Sequence, residues 1–167
     1  MNRLDYFRKY ISYLAKKVTA CAVADSQFHA SRLKRISGRD HDLRHPVTLS
    51  EKICHRMLYD RNPLYTLLAD KLAVREYVHA RTDQLRIAPL LGVYQRVEDI
   101  DFTSLPARFV LKCNHDSGSA VVCLDKDQLN VGAAINKLSL ALKKNMYYAT
   151  REWQYKDIAP VILCEKY

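Results

Sequence analysis

Residues Arg108–Leu124 read RFVLKCNHDSGSAVVCL: an apolar run that presents Lys112, a polar loop from Asn114 to Ser119 containing Gly118, and a second apolar run. Short apolar runs separated by turn residues are the pattern of strands in a small sheet. A loop between two paired strands can fold over a triphosphate. Its small residues let backbone N–H groups approach phosphate oxygens, while a lysine ammonium neutralises them from the strand. This is not a Walker-A loop, which needs GxxxxGK[ST] running into a helix. An ordinary hairpin with a surface lysine has the same pattern, so the spacing alone leaves both readings open.

The texture around this stretch extends the sheet. Further apolar runs occur at residues 87–94 and 160–165, and between the last two strands Val131, Ile135, Leu138 and Leu142 recur at helical intervals, with Lys143 and Lys144 at the end where cations favour the helix dipole. Upstream, Thr48 or Ser50 is placed to cap a helix from about Glu51, which Asn62-Pro63 interrupts. A second long helix is expected after Pro63, through Leu64, Leu67, Leu68, Leu72, Val74 and Val78. Residues 37–46 read as a loop. At the start, Leu4, Phe7, Ile11, Leu14 and Val18 form one stripe of an amphipathic helix opposite Arg8, Lys9 and Lys16. That stripe either packs on the protein, the commoner use, or lies on an anionic membrane surface through residues 1–20.

The fold expected is therefore α+β: a helical N-terminal part to about residue 82, then a small, mostly antiparallel sheet with helices against it. Three regions are expected: a basic helical segment over 1–47, a helical entry region over 48–86, and a sheet-containing lobe over 87–167.

Composition limits the functional classes. The 167 residues suffice for one domain with a core, and 49% hydrophobic with 27% charged residues is an ordinary globular balance. Five scattered cysteines, an odd number without paired spacing, fit a reducing, cytoplasmic compartment. The charges among residues 1–20 break any secretory apolar run. Net charge is +9. Residues 1–56 carry 12 Lys/Arg and 5 Asp/Glu, or 12 − 5 = +7, leaving +2 for the rest. Such basicity attracts phosphates, nucleic acid or anionic lipid, and equally marks a solvated helix face. No base-reading motif accompanies it, so no specific nucleic acid is expected.

Weaker constellations have bland readings beside the chemical ones. Asp40, His41, Asp42 and His45 contain metal-ligand types but sit in a polar loop. Cys113 and His115 are two apart, which suits a nucleophile and base on one strand face or a buried cysteine beside a loop histidine. Trp153 among Tyr147, Tyr148, Arg151 and Tyr155 suits ligand stacking or a core anchor.

In order along the chain, Asp70-Lys71, Ala88-Pro89, Leu105-Pro106 before FVLK, the serine/glycine loop and the strand VILCEKY resemble the first lobe of an ATP-grasp fold. The stretches TLSEKICHRMLYDRNPLYTLLADKLAVREYV (48–78), LPARFVLKCNHDSGS (105–119) and REWQYKDIAPVILCEKY (151–167) narrow the resemblance to TupA-like ATP-grasp proteins of teichuronopeptide and surface-polysaccharide biosynthesis, often labelled glycosyltransferases.

The resemblance implies a nucleotide partner, ATP with Mg2+, and a polysaccharide precursor. It implies that Lys71 and Lys112 contact phosphates, that His115, Asp116, Ser117, Gly118 and Ser119 cover them, and that Glu165, Lys166 and Tyr167 border adenine. It also implies an acyl-phosphate intermediate that an amine converts to an amide.

Two departures accompany the resemblance. The loop HDSGS has less glycine than is usual in the family and carries Asp116 beside the phosphates. The family's magnesium-binding Asp, Glu and Asn lie on strands beyond this hinge and are absent here, so the chain is expected to be the amino-terminal portion of such an enzyme. A non-catalytic remnant or binding module is the alternative, with a basic nucleic-acid-binding protein behind it. A missing lobe would also leave the apolar side of VILC exposed.

Overall fold

A computed structural model describes all residues, 1–167. Its first half is helical: α1 (Arg3–Ala22), α2 (Asp25–Ser37), α3 (Leu49–Tyr59), α4 (Leu64–Ala69) and α5 (Ala73–His79). Strands β1 (Leu90–Tyr94), β2 (Phe109–Cys113) and β3 (Val121–Cys123) follow, then α6 (Val131–Leu142), α7 (Met146–Thr150) and β4 (Ile162–Lys166). The strands form one antiparallel sheet in the order β1-β4-β2-β3. The architecture is the expected α+β.

The local chemistry of the helix ends accounts for where they fall. Thr48 accepts from Glu51 N while Glu51 accepts from Thr48 N at 2.7 Å, a capping box that starts α3. Gly38, with φ +75°, closes α2 in the left-handed conformation that a side chain disfavours. The loop after it is ordered by pairs: His41 Nδ1 meets Glu51 Oε1 at 2.6 Å and Nε2 meets Ser37 Oγ at 2.6 Å. His45 pairs separately with Asp42. Asp40 is held by Lys34, so the four residues do not converge on one point.

The single long helix expected after Pro63 is two short ones. Asp70 Oδ1 accepts from Leu72 N at 2.8 Å, a local turn that competes with the helical ladder and breaks it at Asp70-Lys71. Sequence periodicity runs through the break because the apolar spacing resumes in α5.

Side chains alternate across β2. Phe109, Leu111 and Cys113 face Leu138 and Ala141 of α6, and Cys123, Ile162 and Cys164 complete that core. Val110 and Lys112 face the other way, beside Leu163 and Glu165 of β4. The expected exposure of VILC does not occur: Ile162, Leu163 and Cys164 are 0% exposed. β4 lies inside the sheet, flanked by β1 and β2, with α6 packed on the Ile162 and Cys164 side. Exposure on the Lys112 side falls instead on Val93 and Val122.

The stripe on α1 does not pack inward, the commoner use of that pattern. Leu4 is 82% and Val18 71% exposed, with Phe7, Ile11 and Leu14 also outward. The helix docks on α6 and α7 through its tyrosine edge. Tyr13 is buried and its OH accepts from Asn145 N at 3.0 Å, while Tyr6 OH accepts from Lys143 Nζ at 2.9 Å. Tyrosines bring both apolar area and a hydrogen-bonding tip, so they outcompete the aliphatic stripe where the facing surface is polar.

Candidate functional site around the β2–β3 loop

The break at Asp70-Lys71 and the loop after β2 are tied together. Asn114 is the hub. Its Nδ2 donates to Asp70 Oδ1 at 2.9 Å and to Ala159 O at 3.0 Å, and its Oδ1 accepts from Val161 N at 2.8 Å. Its carbonyl accepts from Lys71 N at 3.1 Å and Lys71 Nζ at 3.2 Å. Lys71 Nζ also donates to the carbonyl of Asp116. One buried amide thus joins α4, the loop and the approach to β4, and a buried polar group so fully bonded positions its neighbours tightly.

Lys71 is half-buried. Burial, opposed by Asp116 and reinforced by the nearby ammonium of Lys112, holds its pKa below that of a free lysine. Lys71 thus stands at the root of the β2–β3 loop, within electrostatic range of Lys112. Lys112 Nζ lies 2.6 Å from Glu165 Oε2, and Arg75 meets Glu165 Oε1 at 3.0 Å, so two cations share one carboxylate. Arg75 also donates to Ala88 O, tying α5 to the Ala88-Pro89 segment.

The loop residues divide by role. His115 is buried, its Nε2 donating to Lys144 O at 2.9 Å, which turns the ring under the end of α6. Ser119 is buried too: its Oγ accepts from Cys113 N at 2.8 Å and donates to Asp116 Oδ1 at 2.6 Å, closing the loop on itself. Ser117 and Gly118 are exposed at the tip, where Gly118 has φ +109°. A side chain would be strained at that φ. Lys166 and Tyr167 are exposed at the end of β4, with Lys166 N bonded to Pro89 O at 2.9 Å.

The Cys113–His115 pair is separated by this arrangement. The thiol is in the core, where burial pushes its pKa up to about 12, and the imidazole is committed to Lys144. A thiol so far from ionising is not a nucleophile.

The family profile described as TupA-like ATPgrasp matches residues 51–167. The chain belongs to the TupA-like ATP-grasp family. No curated protein and no solved structure matches it. The matched region begins inside α3 and runs through β4, whereas α1 and α2 precede it.

The residues fit the nucleotide that the family implies better than its metal. Lys112 and Arg75 supply cations on the face that α6 leaves open, and Val93 and Val122 offer apolar surface there. No three acidic, histidine or cysteine side chains converge into a metal site, so no step is derived through magnesium. No helix is long and apolar enough to cross a membrane.

Sequence reasoning missed Asn114 and Arg75. Asn114 reads as one more polar loop residue, and Arg75 as a charge on a helix face. Their partners lie 44 and 90 residues away, and no local pattern encodes those separations.

Proposed function

We propose that the protein works as an ATP-dependent ligase or transferase in cell-surface polysaccharide assembly, and that the residues around the β2–β3 loop contribute to its ATP site. Lys112 and Lys71 receive the phosphates, the loop from His115 to Ser119 closes over them through its tip, and Glu165, Lys166 and Tyr167 border the base. The observation that carries this reading is the β2–β3 loop clamped by Lys71 through the Asn114 and Asp116 carbonyls, directly after the strand that presents Lys112. Two ammonium groups at a water-poor site attract a polyphosphate more strongly than the same charges in bulk solvent.

In the reaction, a substrate carboxylate attacks the γ-phosphorus of ATP, giving an acyl phosphate and ADP. An amine then displaces phosphate at the acyl carbon, forming the amide and losing a proton. The chain's own contribution is to orient and neutralise the phosphates. The polysaccharide precursor supplies one of the two reacting groups. Cytoplasmic placement at the inner membrane face belongs to the same reading, supported by the outward stripe of α1 with Arg3 and Arg8 on either side of it.

A second reading, a non-catalytic nucleotide-binding module, is favoured by the 2.6 Å pairing of Lys112 with Glu165, which must loosen before the lysine meets a phosphate. Titration calorimetry with ATP and with ATP plus magnesium tests both. Lys112→Met is expected to weaken ATP binding about tenfold, the worth of one charge-assisted contact. Because that change leaves Glu165 with Arg75 alone, Glu165→Gln serves as the companion: it frees Lys112 and is expected to keep or tighten binding. Binding with turnover supports the ligase, binding without turnover supports the module, and no ATP binding by the wild-type chain sinks both.

A further inference from the structure

A second cationic site lies away from the Lys112 face. Because β2 alternates, Lys112 points opposite to Leu111 and Cys113, whose side is covered by α6. On the far side of α6, α1 leaves a cleft of ≈ 400 Å³ lined by Arg8, Lys9, Ser12, Lys16 and Lys144, with Tyr13 as a wall. A neighbouring hollow, sharing Lys9 and Lys144, reaches Ser117 and Gly118 at the tip of the β2–β3 loop.

We propose that this cleft between α1 and the α6–α7 junction binds a phosphate group, at a site distinct from the nucleotide face.

The cations there are uncompensated. Lys9, Lys16 and Lys144 have no carboxylate within ion-pair distance, and Arg8 has only Asp5 at 3.5 Å. Elsewhere on the surface, Lys34, Arg56 and Arg96 each hold an acidic partner. Lys144 is the half-buried member. Burial lowers its pKa and Lys9 and Lys16 lower it further, opposed by Asp116, which lines the neighbouring hollow.

Nor is Lys144 free to move its backbone away. Its carbonyl accepts from His115 Nε2 at 2.9 Å, its N–H donates to Ala141 O at 3.0 Å, and the next residue donates to the buried Tyr13 OH. Like charges held this way raise the energy of the empty protein, and a dianion removes that cost while accepting several charge-assisted hydrogen bonds. His115 bonds to the Lys144 backbone and not to its ammonium, so removing the Lys144 charge leaves the root of the β2–β3 loop in place.

A phosphate group reaches such a cleft either on a soluble substrate or on a lipid headgroup. Inorganic pyrophosphate is the soluble probe. Vesicles of phosphatidylglycerol, against phosphatidylcholine, are the membrane probe. Both are applied to the full chain and to Lys144→Met, Lys16→Gln and the distant control Lys34→Gln.

Expected for at least one probe is about a tenfold weakening in Lys144→Met, a similar loss in Lys16→Gln, and less than about a twofold change in Lys34→Gln. Pyrophosphate sensitivity assigns a soluble phosphate substrate; sensitivity confined to phosphatidylglycerol assigns a headgroup. Lys144→Met keeps the aliphatic stem and relieves repulsion, so the empty variant is expected to melt at or above the wild type. Equal weakening in all three variants means diffuse attraction to any polyanion and overturns the site, as does binding of neither probe. ATP affinity is expected to be unchanged in Lys144→Met, which separates the fate of this cleft from that of the nucleotide site.

Discussion

Lys112 and Cys113 are adjacent on one strand and face opposite environments. Lys112 stands on the open face in ionic contact with Glu165, whereas Cys113 is 0% exposed beneath α6. The pleat alone puts them on opposite sides, and chemistry follows from that. We expect Cys113 to resist iodoacetamide in the folded protein at pH 8, with Cys21, the exposed cysteine, alkylated first. Intact mass and peptide mapping before and after denaturation check this; early modification of Cys113 would show that the strand opens locally.

His29 makes a second case. It is buried with no hydrogen-bond partner on either ring nitrogen, and burial lowers its pKa below 6.5 despite the attraction of Asp25. A base whose folded pKa lies below its unfolded one binds fewer protons when folded. Its stabilising effect is present above pH 6.5 and is lost as pH falls below that value. His29→Phe is therefore expected to flatten the pH dependence of the melting temperature below 6.5. An unchanged slope would mean that another group controls that limb.

Among the elements, α3 has the most legible start. Hydrogen bonds from the Thr48 N–H, from His41 and from the Val47 N–H hold the Glu51 carboxyl down at about 2. A carboxylate depressed in the folded state contributes above pH 4.5 and loses that contribution as pH falls from 4.5 toward 2. Thr48→Ala removes the hydroxyl half of the box and is expected to cost about 1 kcal/mol in urea unfolding. A loss under a few tenths would indicate that His41 and the backbone donors hold the helix end without it. The α4–α5 break is less legible, because the Asp70 carboxylate that turns the chain at Leu72 is also held by Asn114 from 44 residues away.

For the whole molecule, the question is how α1 and α2, which precede the family-matched region, are held to the lobe. Arg151 is the main stitch: it is 2% exposed, has φ +60°, and its guanidinium donates to Asp25 Oδ1 at 2.8 Å and Ala20 O at 3.2 Å. Tyr147 OH donates to the same carboxylate at 3.0 Å. Removing Asp25 would strand a buried cation, so Asp25→Ala is expected to destabilise by about 3–5 kcal/mol. In a double-mutant cycle with Arg151→Met, the second substitution should recover part of that loss. Simple additivity of the two would mean that the helices are held by their tyrosines instead.

Periodicity and punctuation within about ten residues carried much of the fold reading: four strands, the helix before them capped at Thr48, and α6. Those features arise from local sterics, capping and the alternation of a pleat, all of which neighbouring residues encode. The resemblance carried in the motifs placed the lysines and the loop in one family.

What local patterns do not contain is which face of α1 finds a polar partner, which distant amide holds the carboxylate at the α4–α5 break, and how His115 is drawn away from the loop surface by a carbonyl 29 residues later. Those outcomes depend on side chains that become neighbours after the chain has folded. A stripe, a charge or a histidine has the same local sequence whether its eventual partner is core, solvent or ligand.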